Sequence, residues 1–520
     1  MDMLFTLIYF VAFSLLALIL LFTFLIVTIF AGKSIGDPKF PPVKGTVFNQ
    51  LFHFNSIYDY HTEIARSHPT FRLLAPGRSK VFTADSRNVE HVLKTRWETY
   101  PKGERNHQTV ADLLGEGIFA VDSEKWRQQR KLSSFEFSTR VLRDFSCSVF
   151  RRNAAKLVRV ISESSNAGLG FDMQEALMRC TLDSIFKAGF GVELECLEGT
   201  SEEGSQFLKA FDDSNAFVYR RYVDPFWKIK RFLNIGSEAA LKNNVKIIDD
   251  FVNGLIRTKR QLLTSQQDTS EKEDILSRFL LKSEEQPSEN NMTDKYLRDI
   301  ILNFMIAGKD TSANTMSWFF YMLCKYPLVQ EKIAQEVKQV TNYSSSHHQT
   351  MSSIANVDEF VANITDSCLD RMHYLHAALT ETLRLYPAVP INGRTAGADD
   401  ILPDGHRINK GDSIYYLAYA MGRMPFIWGP DADQFRPERW LENGTFQPQS
   451  PFKFVAFHAG PRICLGRDFA YRQMKIVSMA LVRFFRFKLE DETRNVTYKT
   501  MFTLHIHNGL PLCAVPRHYA

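Results

Sequence analysis

Phe457-His458-Ala459-Gly460-Pro461-Arg462-Ile463-Cys464-Leu465-Gly466 decides how this chain is read. Gly460 and Gly466 allow positive φ and close approach of the backbone to a flat ligand, and Pro461 stiffens the turn between them. From Arg467 onward, Phe469, Ala470, Met474, Ile476, Val477, Ala480, Leu481 and Phe484 recur at helical spacing, which predicts an amphipathic helix with one apolar face. Cys464 then sits at or just before a helix N-terminus, where backbone N–H groups and the macrodipole favour a thiolate over a thiol. A thiolate is a ligand for a soft transition metal. A lone cysteine in a glycine-rich turn is more often a small buried hydrophobe, but the spacing of Gly, Arg and Cys here points to ligation.

The other cysteines carry no such pattern. Cys147, Cys180, Cys196, Cys324, Cys368 and Cys513 are scattered, no CxxC pair exists, and the total of seven is odd. That argues against a disulfide framework and a zinc site. The 63 Lys+Arg against 58 Asp+Glu leave a net charge of +5, and no dense basic run interleaves with aromatics, so a nucleic-acid partner is not expected. The 42 Phe residues suggest a Phe-rich core or an apolar pocket.

Met3 to Gly32 carries no charged residue and exceeds the roughly 20 residues needed to span a bilayer. Its start is acidic (Asp2) and the run is longer than a cleaved signal, so it reads as a retained transmembrane signal-anchor over residues 1–32. Lys33, Lys39 and Lys44 against Asp37 put the remainder in the cytosol by the positive-inside rule. Asp37-Pro38-Lys39-Phe40-Pro41-Pro42 makes residues 33–45 a stiff, extended hinge. Residues 46–520 read as one catalytic domain, mainly α with a minor β part. Strand candidates lie near Phe71–Phe82 and at Thr500–His507, and the polar stretches Thr264–Glu273 and Asn342–Ser353 read as surface loops.

Three further constellations carry chemistry. Ile300–Met322 is nearly all apolar but holds Lys309, Asp310 and Asn314, so it reads as a core helix, not a second span. On it Ala307, Gly308 and Thr311 share a face, and Asp310 with the Thr311 hydroxyl forms an acid–alcohol pair suited to moving protons. Glu381-Thr382-Leu383-Arg384 puts an acid and a base at i, i+3, a spacing usually spent on a surface ion pair. Trp126 and Arg130 lie at i, i+4 on one helical face. Gly115-Glu116-Gly117-Ile118-Phe119-Ala120 fits G-x-G-x-x-A, but no strand precedes it, so a dinucleotide site is rejected.

Residues 457–466 resemble the FxxGxRxCxG signature of cytochrome P-450 enzymes, with every fixed position matched. Ala307-Gly308-Lys309-Asp310-Thr311 is similar to the family's A-G-x-D-T, Trp126 to Arg130 to its W-x-x-x-R, and Phe435-Arg436-Pro437-Glu438-Arg439-Trp440 to its PERF-like segment, with Trp440 in place of Phe. The hinge departs in lacking the usual glycine after its prolines. The resemblance implies a cytochrome P-450 fold and haem b with Cys464 as axial thiolate. It implies that Arg462, Trp126 and Arg130 reach the haem propionates, with Phe457 and Gly308 also in the cofactor site. Thr311 and Asp310 would assist O–O cleavage, and Glu381, Arg384 and Arg439 would form a structural triad. O2 and NADPH-derived electrons would be co-substrates, supplied through NADPH-cytochrome P-450 reductase docking near Lys125, Arg127 and Lys131.

The segments Asp274–Phe279, Cys180–Phe186 and the run around Trp126 resemble the plant fatty-acid ω-hydroxylase group. That implies hydroxylation of a lipophilic substrate, a fatty acid at or near its ω end, at the endoplasmic reticulum membrane. Pocket walls are expected from Ile118, Phe119, Phe304, Ala307, Val389, Pro390, Phe502 and Leu504. The alternatives are a haem-thiolate isomerase or dehydratase acting on oxidised lipids, or a non-catalytic haem-binding membrane protein. The acid–alcohol pair and the unexpanded cysteine loop weigh against both.

Overall fold

The computed structural model describes residues 2–137, 140–166, 168, 170–199, 202–264, 274–285, 293–341 and 356–517. Both predicted polar loops, apart from Thr264 itself, lie outside these residues. The described chain is mainly helical with small sheets. Asp2–Phe30 is one continuous helix whose apolar side chains are exposed along almost its whole length.

A helix running through the middle of the body organises the rest. It is assembled from Asp294–Met305, a widened π turn over Ile306–Asp310, and Thr311–Lys325. Its residues are apolar on nearly all sides, as burial on all sides requires. The Thr311–Lys325 half packs with helices Met173–Phe190 and His373–Leu385 in the largest core cluster. The Asp294–Met305 half packs in a second cluster with Glu202–Arg220 and Ser237–Thr264. The helix after the cysteine loop, Arg467–Phe484, departs from the one-faced expectation: every residue from Gln473 to Val482 is buried. It lies between Arg140–Asn166 and Pro327–Thr341, so its polar members need internal partners, as Lys475 Nζ finds by donating to the Leu369 carbonyl at 2.6 Å.

The principal sheet runs, edge to edge, Val43–Thr46, Thr70–Ala75, Arg78–Thr83, Ser413–Tyr416 and Asn392–Thr395. Thr70–Ala75 and Arg78–Thr83 form an antiparallel hairpin closed by Pro76-Gly77, and Lys80 stands opposite Ser413 in the parallel pairing beyond it. In the predicted strand at Thr500–His507 only His505–Ile506 pairs, with Tyr498–Lys499.

The hinge is not a free spacer. Arg72 donates to the Ser34 carbonyl at 2.9 Å and lies over the Phe40 ring, and the Arg407 amide donates to the Lys39 carbonyl at 2.7 Å. The Gly77 amide donates to the Thr28 carbonyl at 2.9 Å, tying the hairpin turn to the end of the apolar helix. The rejected G-x-G motif also has a structural purpose. Cβ atoms at Gly115 and Gly117 would fall 2.0 Å from Asp299 Oδ1 and 1.9 Å from Asn303 Nδ2, so the glycines let this loop seat directly on the central helix. The Glu116 amide donates to Asp299 Oδ2 at 2.8 Å there.

Candidate active site

The cysteine loop is held by its own backbone. The Cys464 amide donates to the Phe457 carbonyl at 2.8 Å, and Gly460–Arg462 makes a single 3-10 turn. Gly460 has φ +66°, and a Cβ there would lie 1.9 Å from the Leu93 carbonyl oxygen, so the loop is pressed against a neighbouring turn. Gly466 differs from expectation. Its φ is −86° and it serves as N-cap of Arg467–Phe484, so no positive φ is required. Phe457 packs on Tyr471 with ring centroids 5.2 Å apart.

Cys464 retains accessible surface although protein encloses it on nearly every side, so that surface faces an internal cleft. Burial pushes its thiol pKa up, while the Gly466 amide and the Arg130 and Arg467 charges pull it down, with burial prevailing. The helix terminus alone therefore does not ionise this thiol, contrary to the simple macrodipole expectation. Coordination to a metal ion deprotonates a thiol outright.

Around the loop stands a group of cations with too few acids. Arg462 donates to Asp122 Oδ1 at 2.6 Å and to the Val121 carbonyl at 2.9 Å, and its guanidinium lies 4.4 Å over the Trp126 ring. Arg130, one turn beyond Trp126 on the same face, donates to the Ile463 carbonyl at 2.6 Å. Lys102 bonds the Asn392 side-chain oxygen at 2.7 Å, and Arg394 bonds the Gly393 carbonyl at 3.0 Å. Among the described residues Asp122 is the one carboxylate ion-paired within this group. Burial, then Arg394 and Arg462, hold the Lys102 pKa well below its ordinary value. Burial and Arg394 bring Arg462 down to about 10. His458 is kept neutral at about 3 by burial, Lys102 and Arg394. A surplus of buried positive charge is costly until an anion joins it. A haem, with its acidic propionates and an iron that binds thiolate, fits this donor set. Lys102 and Arg394 escape the motif reading because they come from a loop and a sheet strand at no fixed spacing from the cysteine.

The π turn presents Ala307 and Thr311 to the main cavity. The Thr311 hydroxyl donates to the Ala307 carbonyl at 2.6 Å. Gly308 points elsewhere: a Cβ there would meet Ile185 Cδ1 at 2.7 Å, so its missing side chain accommodates a neighbouring helix and opens no space beside the cofactor. Asp310 is fully buried and does not reach solvent by itself. Lys309 Nζ lies 2.6 Å from Asp310 Oδ1, an ion pair lacking hydrogen-bond alignment, and 2.7 Å from Asp212, which is partly exposed. Asn215 Nδ2 donates to Asp310 Oδ2 at 3.1 Å. Asp310 thus connects to the surface through Lys309 and Asp212.

Glu381 and Arg384 are both buried and form a two-pronged pair, each contact 2.8 Å, so the spacing is not spent on the surface. Arg384 also donates to the carbonyls of Gly422, Ala432 and Gln434. Arg439 lies 3.4 Å from Glu381 and bonds Asp431 more closely, at 3.1 Å. Trp440 adds what a Phe could not: its indole N–H donates to Glu381 Oε2 at 2.8 Å.

The main cavity has a volume of about 740 Å³ and is predominantly apolar. Phe119, Ala307, Val389 and Phe502 line it; Ile118, Phe304, Pro390 and Leu504 do not. Phe304 is taken up by edge contact with Phe137, and Leu504 is in the core with its carbonyl accepting from Trp318. Ile118 offers its carbonyl to Arg462 at 3.4 Å. The spacing along each segment was compatible with either side; packing of a third element decided it. The cavity extends to Arg78, Lys80 and Phe82 of the sheet, which no motif had marked.

An enclosed cysteine beside an excess of buried cations, under a helix with an acid–alcohol pair, defines a haem-thiolate site. The chain belongs to the cytochrome P450 family, whose model, described as Cytochrome P450, matches residues 38–512. It is 48% identical over 483 residues to Cytochrome P450 704C1 of Pinus taeda, with 92% of each chain covered. It is 44% identical to Cytochrome P450 704B1 of Arabidopsis thaliana, covering 91% of this chain and 93% of that one. Cytochrome P450 86B1 of Arabidopsis thaliana is 38% identical, covering 89% and 82%. The protein is accordingly a monooxygenase that carries haem on a cysteine thiolate and uses O2 with NADPH-derived electrons.

Proposed function

We propose that this chain hydroxylates a long-chain fatty acid at or near its ω end, at the cytosolic face of the endoplasmic reticulum, with NADPH-cytochrome P450 reductase as electron donor. Residues 1–32 anchor it, 33–45 form the hinge and 46–520 the catalytic domain. The observation that carries the reading is the position of the cavity. Ala75 and Pro76, in the hairpin turn, line it, and the adjoining Gly77 amide is bonded to Thr28 in the apolar helix. A lipid leaving a bilayer spanned by that helix meets this turn, and the apolar walls suit an alkyl chain. The resemblance to the fatty-acid ω-hydroxylase group in Asp274–Phe279 and Cys180–Phe186 supports the substrate class.

The reaction is RH + O2 + NADPH + H+ → ROH + H2O + NADP+. Bound haem supplies O2 activation and transfer of an oxygen atom into a C–H bond. Cys464 holds its iron, and Arg130, Arg462, Lys102 and Arg394 neutralise its propionates. Thr311 offers a hydroxyl at the cavity wall, and Asp310, fed through Lys309 and Asp212, replaces the proton it gives up. Ala307 and Val389 confine the substrate end. Exposed Lys125 and Arg127 already pair with Glu116 and Glu98, so the reductase face is less cationic than its sequence suggests.

The test is incubation of microsomes containing the protein with fatty acids, alkanes and sterols, with products identified by mass spectrometry. Fatty acids should gain one oxygen near the methyl end, and Cys464→Ala should abolish both product and the thiolate-type carbon-monoxide difference band. Turnover of sterols alone would overturn the substrate reading.

A further inference from the structure

Arg78, Lys80 and Phe82 alternate along one strand, so they share a face, and all three line the cavity. Lys80 is buried, 3% exposed, and has no carboxylate partner among the described residues. Its Nζ donates to Gln50 Oε1 at 3.0 Å and to the Tyr222 carbonyl at 2.6 Å, both neutral, and an ammonium has three protons to give. Arg78 has buried Nε and Nη1 atoms with no hydrogen-bond partner. Beside them His61, also on the cavity wall, leaves Nδ1 unpartnered. The acids that line the same cavity are turned to others: Glu104 accepts from Gln108 at 2.9 Å, and Asp224 pairs with Lys230 at 2.5 Å. An unpaired buried cation is among the most costly arrangements in a folded protein, and it persists where an anion completes it.

This end of the cavity is separated from the central helix by aromatic side chains. Tyr222 is in edge contact with Phe502, ring centroids 5.9 Å apart, and the Phe502 amide reaches Asn215, which in turn bonds Asp310. Phe119, Ile306 and Val389 add further apolar wall.

We propose that Lys80, assisted by Arg78, binds the carboxylate of the substrate, and so determines that the opposite end of the chain meets Thr311. This rests on the fatty-acid reading above and gives it a regiochemical cause: a chain fixed by its head presents its tail for oxidation. Lys80 touches the substrate through a charge-assisted hydrogen bond but takes no part in the oxidation.

The test uses the full-length, haem-loaded protein in lipid nanodiscs, titrated with hexadecanoic acid, methyl hexadecanoate and hexadecan-1-ol. Binding is followed by equilibrium dialysis and by the substrate-induced shift of the haem spectrum. The acid should bind about tenfold or more tighter than its ester, and Lys80→Met should remove that preference by weakening acid binding alone. Lys80→Arg should restore it, and Lys80→Met should spread the hydroxylation sites along the chain. Equal affinity of acid and ester in the unaltered protein, or undiminished acid binding by Lys80→Met, overturns the anchor and leaves the fatty-acid reading standing. Failure of all three compounds to bind overturns both. If Lys80→Met does not fold, the acid–ester comparison and Arg78→Gln, expected to weaken acid binding about threefold, decide the matter.

Discussion

Two groups of buried charge sit on opposite sides of the cysteine loop, and they are built on opposite principles. Around Glu381 every charge is answered from within: two contacts from Arg384, an indole N–H from Trp440, the Arg436 amide, and backbone carbonyls for the remaining guanidinium protons. Around the cavity Lys102, Arg394, Arg130 and Lys80 meet only neutral acceptors. Closed charge of the first kind is architecture, fixing Gly422, Ala432 and Gln434 about one helix end. Open charge of the second kind is a binding site, because its stabilisation arrives with the ligand.

The contrast breaks in three ways. Glu381→Ala strips the acid from the closed group and leaves Arg384 buried without a counter-charge. It should cost about 3–5 kcal/mol of stability, read by chemical denaturation and by loss of haem-containing protein on expression. Arg394→Leu takes a charge from the open group instead. The protein should fold normally, and haem should pass to an acceptor protein about tenfold faster, reflecting about 1.4 kcal/mol of lost affinity. A protein destabilised by Arg394→Leu as much as by Glu381→Ala would erase the distinction.

The smallest effect is in pH. Burial brings the Lys80 pKa down to about 7, below its unfolded value, so the fold binds fewer protons than the unfolded chain between pH 7 and 10.5. Stability from this group therefore rises as pH increases through that window. Carboxylate binding has the opposite sign, because it needs the ammonium form. Acid affinity should be greatest below pH 7 and fall by up to about tenfold per unit above it, while ester affinity stays level. The groups facing Lys80 leave it alone to titrate there: His61 is held neutral at about 3, Tyr222 and Tyr415 are raised by burial, and Arg78 and Arg105 keep their charge.

What the sequence disclosed follows from how each residue is positioned. Cys464, Thr311 and the Glu381–Arg384 pair are local: each sits in a turn or a helix whose spacing alone puts it where it acts. Lys102, Arg394 and Lys80 are brought to the cavity by sheet pairing across hundreds of residues, and no short pattern contains that. Lys80 did leave a trace, a charge inside the strand Arg78–Thr83 that otherwise reads as buried. Gly308 and Gly466 were legible as glycines but not for their reasons, since only the packing of Ile185 and the start of the next helix supply them. Phe304 and Leu504 failed as wall residues because an apolar side chain on a helix or loop faces core or cavity according to a third element.

The widened turn at Ile306–Asp310 also sets the phase of everything beyond it. Removing one residue there would return the helix to uniform winding and rotate its second half by about 100° relative to the first. Trp318, stacked 4.1 Å from Tyr386 and bonded to the Leu504 carbonyl, would swing off both partners. Length at this point is thus as constrained as composition: every single substitution in the turn preserves the angular relation between the two halves, and a single deletion cannot.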